Sequence, residues 1–127
     1  MQQHHLFEYA VIRIVPRVER EEFLNAGVIL YSAKLHFLQV MIGLNEERLA
    51  AFCSEPGRDE IIQHLEAIRR ISIGDSTAGP IAKLDIAARF RWVTATRSTI
   101  VQTSKVHPGF CVDPGEALLK LFNQLVL

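Results

Sequence analysis

Phe7-Glu8-Tyr9-Ala10-Val11-Ile12-Arg13-Ile14-Val15 carries β-branched and aromatic residues at both alternating sets of positions, the pattern of a strand buried on two faces, and Pro16 ends it. Arg17 to Asn25 is a charged connector with room for one helical turn. Two further apolar runs follow, Ala26 to Tyr31 and Leu35 to Ile42, separated by Ser32-Ala33-Lys34. That spacing suits a hairpin with a three-residue loop. Three strands therefore open the chain, arranged as an antiparallel sheet.

Beyond Ile42 the apolar period lengthens from two to between three and four. Asn45 is placed to cap a short helix whose first turn holds Glu46 and Glu47, complementary to the positive helix end, with Leu49, Ala50 and Phe52 on its apolar side. A second helix starts near Asp59 and puts Ile61, Ile62, Leu65 and Ile68 on one stripe that can cover the sheet. Gly74 to Pro80 has turn composition and reads as a mobile loop. Asp85 is a candidate cap for a helix running to Trp92, and Ser98 to Thr103 reads as a fourth strand. In Asp113-Pro114-Gly115-Glu116 we read an N-cap, a proline at the first helical position and a reciprocal glutamate, followed by Leu118, Leu121, Phe122 and Leu125 at helical spacing. The expected fold is α+β, a small and mainly antiparallel sheet of about four strands with helices packed on it, in the order βββ-α-α-α-β-α. Residues 1–127 are expected to form a single domain, since no repeat, low-complexity tract or boundary interrupts them.

Composition narrows the function classes. The chain has 127 residues, 49% of them hydrophobic and 22% charged, enough for a core that buries about two thirds of the unfolded surface. Fourteen basic and fourteen acidic residues cancel, which argues against a protein whose main task is to grip nucleic acid phosphates. The charges are nonetheless unevenly spread. Lys83, Arg89, Arg91, Arg97 and Lys105 face only Asp85, whereas the stretch from Glu46 to Glu66 is acidic. Such a dipole can steer an anionic partner, although solvated helix faces give the same pattern. No run is long enough to span a membrane and the polar start lacks a signal-peptide layout, so the expected location is cytoplasmic, with Cys53 and Cys111 as free thiols.

Polar side chains crowd residues 90 to 110. Arg97-Ser98-Thr99 and Gln102-Thr103-Ser104 combine a fork donor, hydroxyls and an amide, a mixture suited to phosphate, carboxylate or sugar oxygens. Alternation splits them, because Arg97, Thr99, Val101 and Thr103 share one strand face and Ser98, Ile100, Gln102 and Ser104 the other. Arg13 lies inside the most apolar strand, where an unpaired guanidinium is costly, so an acidic partner such as Glu22 or Asp85 is expected. If Arg13 instead reaches toward residues 97 to 107, then Arg13, Arg97, Thr99, Gln102 and His107 make a candidate ligand site. His107-Pro108-Gly109 reads as a turn that ends the fourth strand. Metal and Cys-His chemistry are thin, since His107 and Cys111 lack a fixed second pair of ligands. No Walker loop, dinucleotide fingerprint or nucleophile elbow is present. No catalytic residue, metal or cofactor is therefore assigned. Phe90 and Trp92 among Arg89, Arg91 and Arg97 could stack bases, but helical spacing favours a core role for them.

Two segments together resemble an uncharacterised bacterial family, the domain of unknown function numbered 3037. One is Tyr9 to Pro16 leading to Glu22-Phe23-Leu24-Asn25-Ala26-Gly27-Val28-Ile29-Leu30; the other is Phe90-Arg91-Trp92 through Arg97-Ser98-Thr99-Ile100-Val101-Gln102 to His107-Pro108-Gly109. Thr96 stands where the family usually has proline. The resemblance implies no activity, cofactor or catalytic residue. It does imply an association with HipA-type kinases, hence an accessory role in a toxin–antitoxin-like system.

The leading expectation is a noncatalytic interaction module docking a protein partner, such as a HipA-type kinase, through a surface containing Arg91, Trp92, Arg97 and Lys105. The alternatives are an enzyme or ligand-binding domain for a phosphorylated or otherwise anionic small molecule and, behind it, a nucleic-acid binder. An unpaired sheet edge could also support a homodimer.

Overall fold

The computed structural model describes residues 3–16, 22–52, 57–96 and 99–127. The doubly apolar run forms β1 (His5–Ile14), which pairs antiparallel with β2 (Leu24–Ser32); β2 pairs antiparallel with β3 (Phe37–Ile42). On the other side of β1 lie two short strands end to end, β4 (Val101–Thr103) opposite Ile12 to Ile14 and β5 (His107–Cys111) opposite His5 to Tyr9. The sheet therefore has five strands, with β1 as its central member.

The expected α+β architecture holds, with one strand more than anticipated. His107-Pro108-Gly109 is part of β5 and not a turn. Proline and glycine point to a turn locally, but here pairing with β1 prevails. A side chain at position 109 would overlap the Phe7 ring, with Phe7 Cε atoms 2.9 Å from its Cβ, so glycine is what lets this strand approach. The β2–β3 connection is longer than three residues, running through Ala33 to His36, and His36 takes a left-handed φ of 50°. Ser32 Oγ donates to Leu6 O at 2.9 Å and ties this hairpin to the start of β1.

Among the described residues three helices start at side-chain caps and a fourth ends at a glycine. Asn45 Oδ1 accepts from Arg48 N at the start of α1 (Glu46–Phe52), and Asp85 Oδ1 accepts from Ala88 N at the start of α3 (Ile86–Val93). Asp113 Oδ1 accepts from Gly115 N and Glu116 N at the start of α4 (Pro114–Leu125). The longest helix, α2 (Arg58–Ile73), ends at Gly74 in the left-handed conformation that glycine adopts without strain. Ile61 and Leu65 are buried on it, while Ile62, expected on the same stripe, turns toward solvent.

The helices divide between the two sheet faces. Ala10, Ile12, Ile14 and Ile29 are fully buried against residues of α1, α2 and α3, including Leu49, Leu65 and Phe90. On the opposite face Val28 and Leu30 pack with Leu118, Phe122 and Val126 of the α4 segment. The segment from Gly74 to Pro80 is not a plain loop. It contains a 3-10 turn, Ser76–Ala78, and a second, Pro80–Lys83, begins at its last residue. Asp75 organises the first, accepting from Thr77 N at 2.9 Å, Thr77 Oγ1 at 2.7 Å and Arg70 Nε at 3.1 Å. The bonds from Thr77, reinforced by Arg70, hold the Asp75 carboxyl down at about 2. Among the described residues no helix is long and apolar enough to cross a membrane.

Candidate functional site

Strand alternation sends Ile12 and Ile14 toward the α2 side and Arg13 toward the α4 side. Helix α4 lies over β2 and β3, so this end of β1 falls outside its main cover. A register shift between Ile12 and Arg13 brings Asn25 of β2 opposite Arg13, and Gln102 of β4 lies opposite it on the other side. Directly opposed residues on one sheet face have Cβ atoms about 5 Å apart. Arg13, Asn25 and Gln102 thus form a row of three partly buried polar side chains across β2, β1 and β4.

Among the described residues Arg13 makes no ion pair, and its Nε is buried without a hydrogen-bond partner. Its guanidinium lies over the Phe23 ring, 4.0 Å from the centroid. Asp85 caps α3 instead. Asn25 is pinned by its Nδ2, which donates to Leu125 O at 2.9 Å, while its Oδ1 is buried and unpartnered. A cation–π contact with a half-exposed ring contributes about 0.5–1 kcal/mol, less than the ~1–3 kcal/mol that a buried unpaired donor costs. Local chemistry therefore leaves a donor and an acceptor unmet side by side.

The other expected members of this site divide. Gln102 Nε2 donates to Thr99 O at 2.8 Å, and Thr99 Oγ1 donates to Val101 O at 2.7 Å, so both are partly engaged in shaping the approach to β4. His107 is opposite Tyr9 and its ring lies 5.4 Å from the tyrosine ring. Four residue steps along the strand separate Tyr9 from Arg13, about 13 Å, so His107 does not join Arg13. Arg97 and Ser98 lie outside the described residues, as does Cys53. Cys111 is buried, and burial, with Asp113 nearby, pushes its thiol pKa up. It lies opposite His5, four residues along β5 from His107, which separates the two as a nucleophile and base. Among the described residues no three His, Cys, Asp or Glu side chains cluster as metal ligands.

The residues expected at a partner surface lead to a second region on the opposite face. Arg91 and Trp92 are exposed on α3, and Lys105 is exposed between β4 and β5. Arg91 Nη2 donates to Glu8 Oε2 at 2.8 Å. Along β1, Glu8 neighbours Leu6, which pairs across the ladder with Phe110 of β5. Both are large apolar side chains in the open, Leu6 at 51% and Phe110 at 70% exposure. A pocket of about 380 Å³ opens beside them, lined by residues that include His4, His5, Leu6, Glu8, Tyr31 and Lys34. Phe90 is not available for base stacking; it is fully buried and stacked on Tyr31. Arg89 is drawn inward as well, its Nη1 donating to Ile71 O and Ser72 O at the end of α2.

Sequence reasoning missed Phe23, Asn25, Leu6 and Phe110. The first two were hidden in a connector that proves to hold the start of β2, and Phe110 lies on a strand disguised by Pro108-Gly109. The signal available was the residue type alone, an aromatic and an amide just before an apolar run.

Fold and site together define a small α+β domain with helices on both sheet faces and a partly buried arginine that the described residues leave unpaired. The chain belongs to the family described as a protein of unknown function, DUF3037, whose model matches residues 9–126. No curated protein and no solved structure matches it.

Proposed function

We propose that this protein is a noncatalytic interaction module that docks a partner protein at the open end of the sheet formed by β1 and β5. The single observation carrying this reading is the Leu6–Phe110 pair, two large apolar side chains left uncovered where β1 meets the edge strand β5, a place where folded domains ordinarily blunt or bury such surface. The chemistry around it favours a particular partner. Glu8 is paired with Arg91, while His4, His5 and Lys34 line the adjoining pocket, so the rim offers more donors and cations than free carboxylates. An apolar side chain flanked by Asp or Glu residues complements that surface, whereas a second copy of this chain would bring like charges together. A HipA-type kinase is the finer candidate, on the strength of the family resemblance.

The test uses the full chain with Leu6→Asp and Phe110→Asp together, a change confined to exposed positions. Wild-type protein at endogenous level should co-purify with one stoichiometric partner. The purified partner, or a labelled peptide of it carrying the acidic-flanked apolar residue, should bind wild type and lose at least about tenfold in affinity to the double variant. A wild-type chain that returns alone and monomeric, or a partner indifferent to both substitutions, overturns the reading. The specific claim for a HipA-type kinase fails if the purified kinase from the same genome does not bind.

The unpaired Arg13 favours a second reading, in which the opposite face holds a small anionic ligand.

A further inference from the structure

We infer that Arg13, Asn25 and Gln102 form a binding notch for a small carboxylate that carries an ammonium or hydroxyl donor next to the carboxyl group, the pattern of a free α-amino or α-hydroxy acid. The notch is on the α4 side of the sheet, away from Leu6 and Phe110, and does not depend on the docking surface.

Three observations specify the ligand. The first is the unmet donor. Arg13 Nε is buried with no partner, and the guanidinium carbon lies 4.0 Å from the centroid of the Phe23 ring, so one donor of the guanidinium fork is unmet and an oxyanion would satisfy it. The second is the unmet acceptor. Asn25 Nδ2 is committed to Leu125 O, which points Asn25 Oδ1 away from that bond, buried and unpartnered, beside the same guanidinium on the ladder. The third is Gln102, opposite Arg13 on β4, whose Nε2 is likewise committed, to Thr99 O. Its carbonyl oxygen and the second N–H of Nε2 are what it has left to offer.

A single guanidinium beside one unmet amide oxygen selects a ligand with one negative charge and a donor close by. A phosphate dianion would satisfy Arg13 but bring a second charge that one guanidinium does not meet and set acceptor oxygens against Asn25 Oδ1. A simple carboxylate would satisfy Arg13 and leave Asn25 Oδ1 unmet. The ammonium of an amino acid, or the hydroxyl of a hydroxy acid, fills that second place, with the Phe23 ring as an apolar wall.

The experiment is ligand titration of the full chain followed by the Arg13 Nε–Hε resonance in ¹⁵N-labelled protein and by thermal shift. The probes are the common L-amino acids, L-lactate and L-malate, each compared with propionate or succinate, inorganic phosphate, and a peptide bearing a free C-terminus. A donor-bearing small carboxylate should move the Arg13 resonance and raise the melting temperature. Its affinity should exceed that of the matched donor-free acid by about tenfold, and fall by at least about tenfold in Arg13→Met and Asn25→Asp. Arg13→Lys keeps the charge without the fork and should also bind weakly. Leu6→Asp/Phe110→Asp should bind like wild type, which separates this result from the fate of the docking surface. The inference is overturned if no probe moves the wild-type Arg13 resonance, if phosphate or the peptide alone does so, if donor-free acids bind equally well, or if Arg13→Lys retains full affinity. A water bridging Arg13 and Asn25 would give the first of these outcomes.

Discussion

Replacing Arg13 with methionine should stabilise the ligand-free protein. Methionine keeps a stem of similar length against Phe23 and removes the guanidinium, whose Nε is buried without a partner. The loss is a cation–π contact with a ring that is 45% exposed, about 0.5–1 kcal/mol. The gain is relief of one buried, unpaired donor, ~1–3 kcal/mol, and the lower half of that range applies because Arg13 is only partly buried. The net expectation is a stabilisation of about 1 kcal/mol. With a urea slope of roughly 1–3 kcal/mol/M for a small domain, the midpoint should rise by about 0.5 M with the slope unchanged. Equilibrium urea unfolding by circular dichroism, on protein dialysed free of small anions, measures it. A midpoint that falls by the equivalent of 1 kcal/mol would refute the reasoning, since Arg13 would then have a partner in the free protein and its role would be structural. A polar group retained at a cost in stability is what a binding residue looks like.

Further expectations concern the frame around both sites. Gly109→Ala should destabilise the fold by about 1–3 kcal/mol through overlap with Phe7, and Phe7→Leu should recover part of that loss in the double variant, measured by the same unfolding assay. Asp113→Ala removes the acceptor for Gly115 N and Glu116 N and should cost about 1 kcal/mol, with a drop in thermal midpoint as the check. The Asp75 carboxyl, held at about 2 against an ordinary 3.8, binds protons less readily when folded than unfolded. Its stabilising contribution is therefore complete above about pH 4 and disappears as pH falls through about 2; Asp75→Asn should flatten that part of a melting-temperature profile. Cys111, with its thiol pKa raised by burial and Asp113, should react with iodoacetamide at pH 8 far more slowly in folded than in unfolded protein. Peptide mapping of alkylated Cys111 reads this directly, and equal rates would contradict it.

Much of the fold was legible in residue order because its signals are local. The double apolar run of Phe7 to Val15 fits a strand covered on both faces, and its β-branched and aromatic content, with Pro16 as a stop, separates it from a buried helix. Asn45, Asp85 and Asp113 announce helix starts because a short acceptor side chain can meet the free N–H groups of the first turn wherever that turn lies in space. The candidate site was legible only in part. Arg13 and Gln102 were named for their chemistry, and the ladder does set them opposite each other; His107 was named on the same grounds, and the ladder sets it about 13 Å away.

What the sequence determined by itself, then, was most of the elements, the buried strand at their centre and the polar residues worth watching. The tertiary structure decided which of them meet. Proline and glycine at 108 and 109 argue for a turn until β1 supplies hydrogen bonds and Phe7 supplies a ring that only glycine can approach. An arginine in an apolar strand implies a carboxylate, whereas cross-strand register sets it opposite Asn25 and Gln102, with Phe23 beneath its guanidinium. Pairing register and the placing of α4 on one face are sums over contacts distant along the chain, and a single-residue slip would reverse them. That is why residue types could nominate Arg13, and only the assembled sheet could leave its Nε buried without a partner among the described residues.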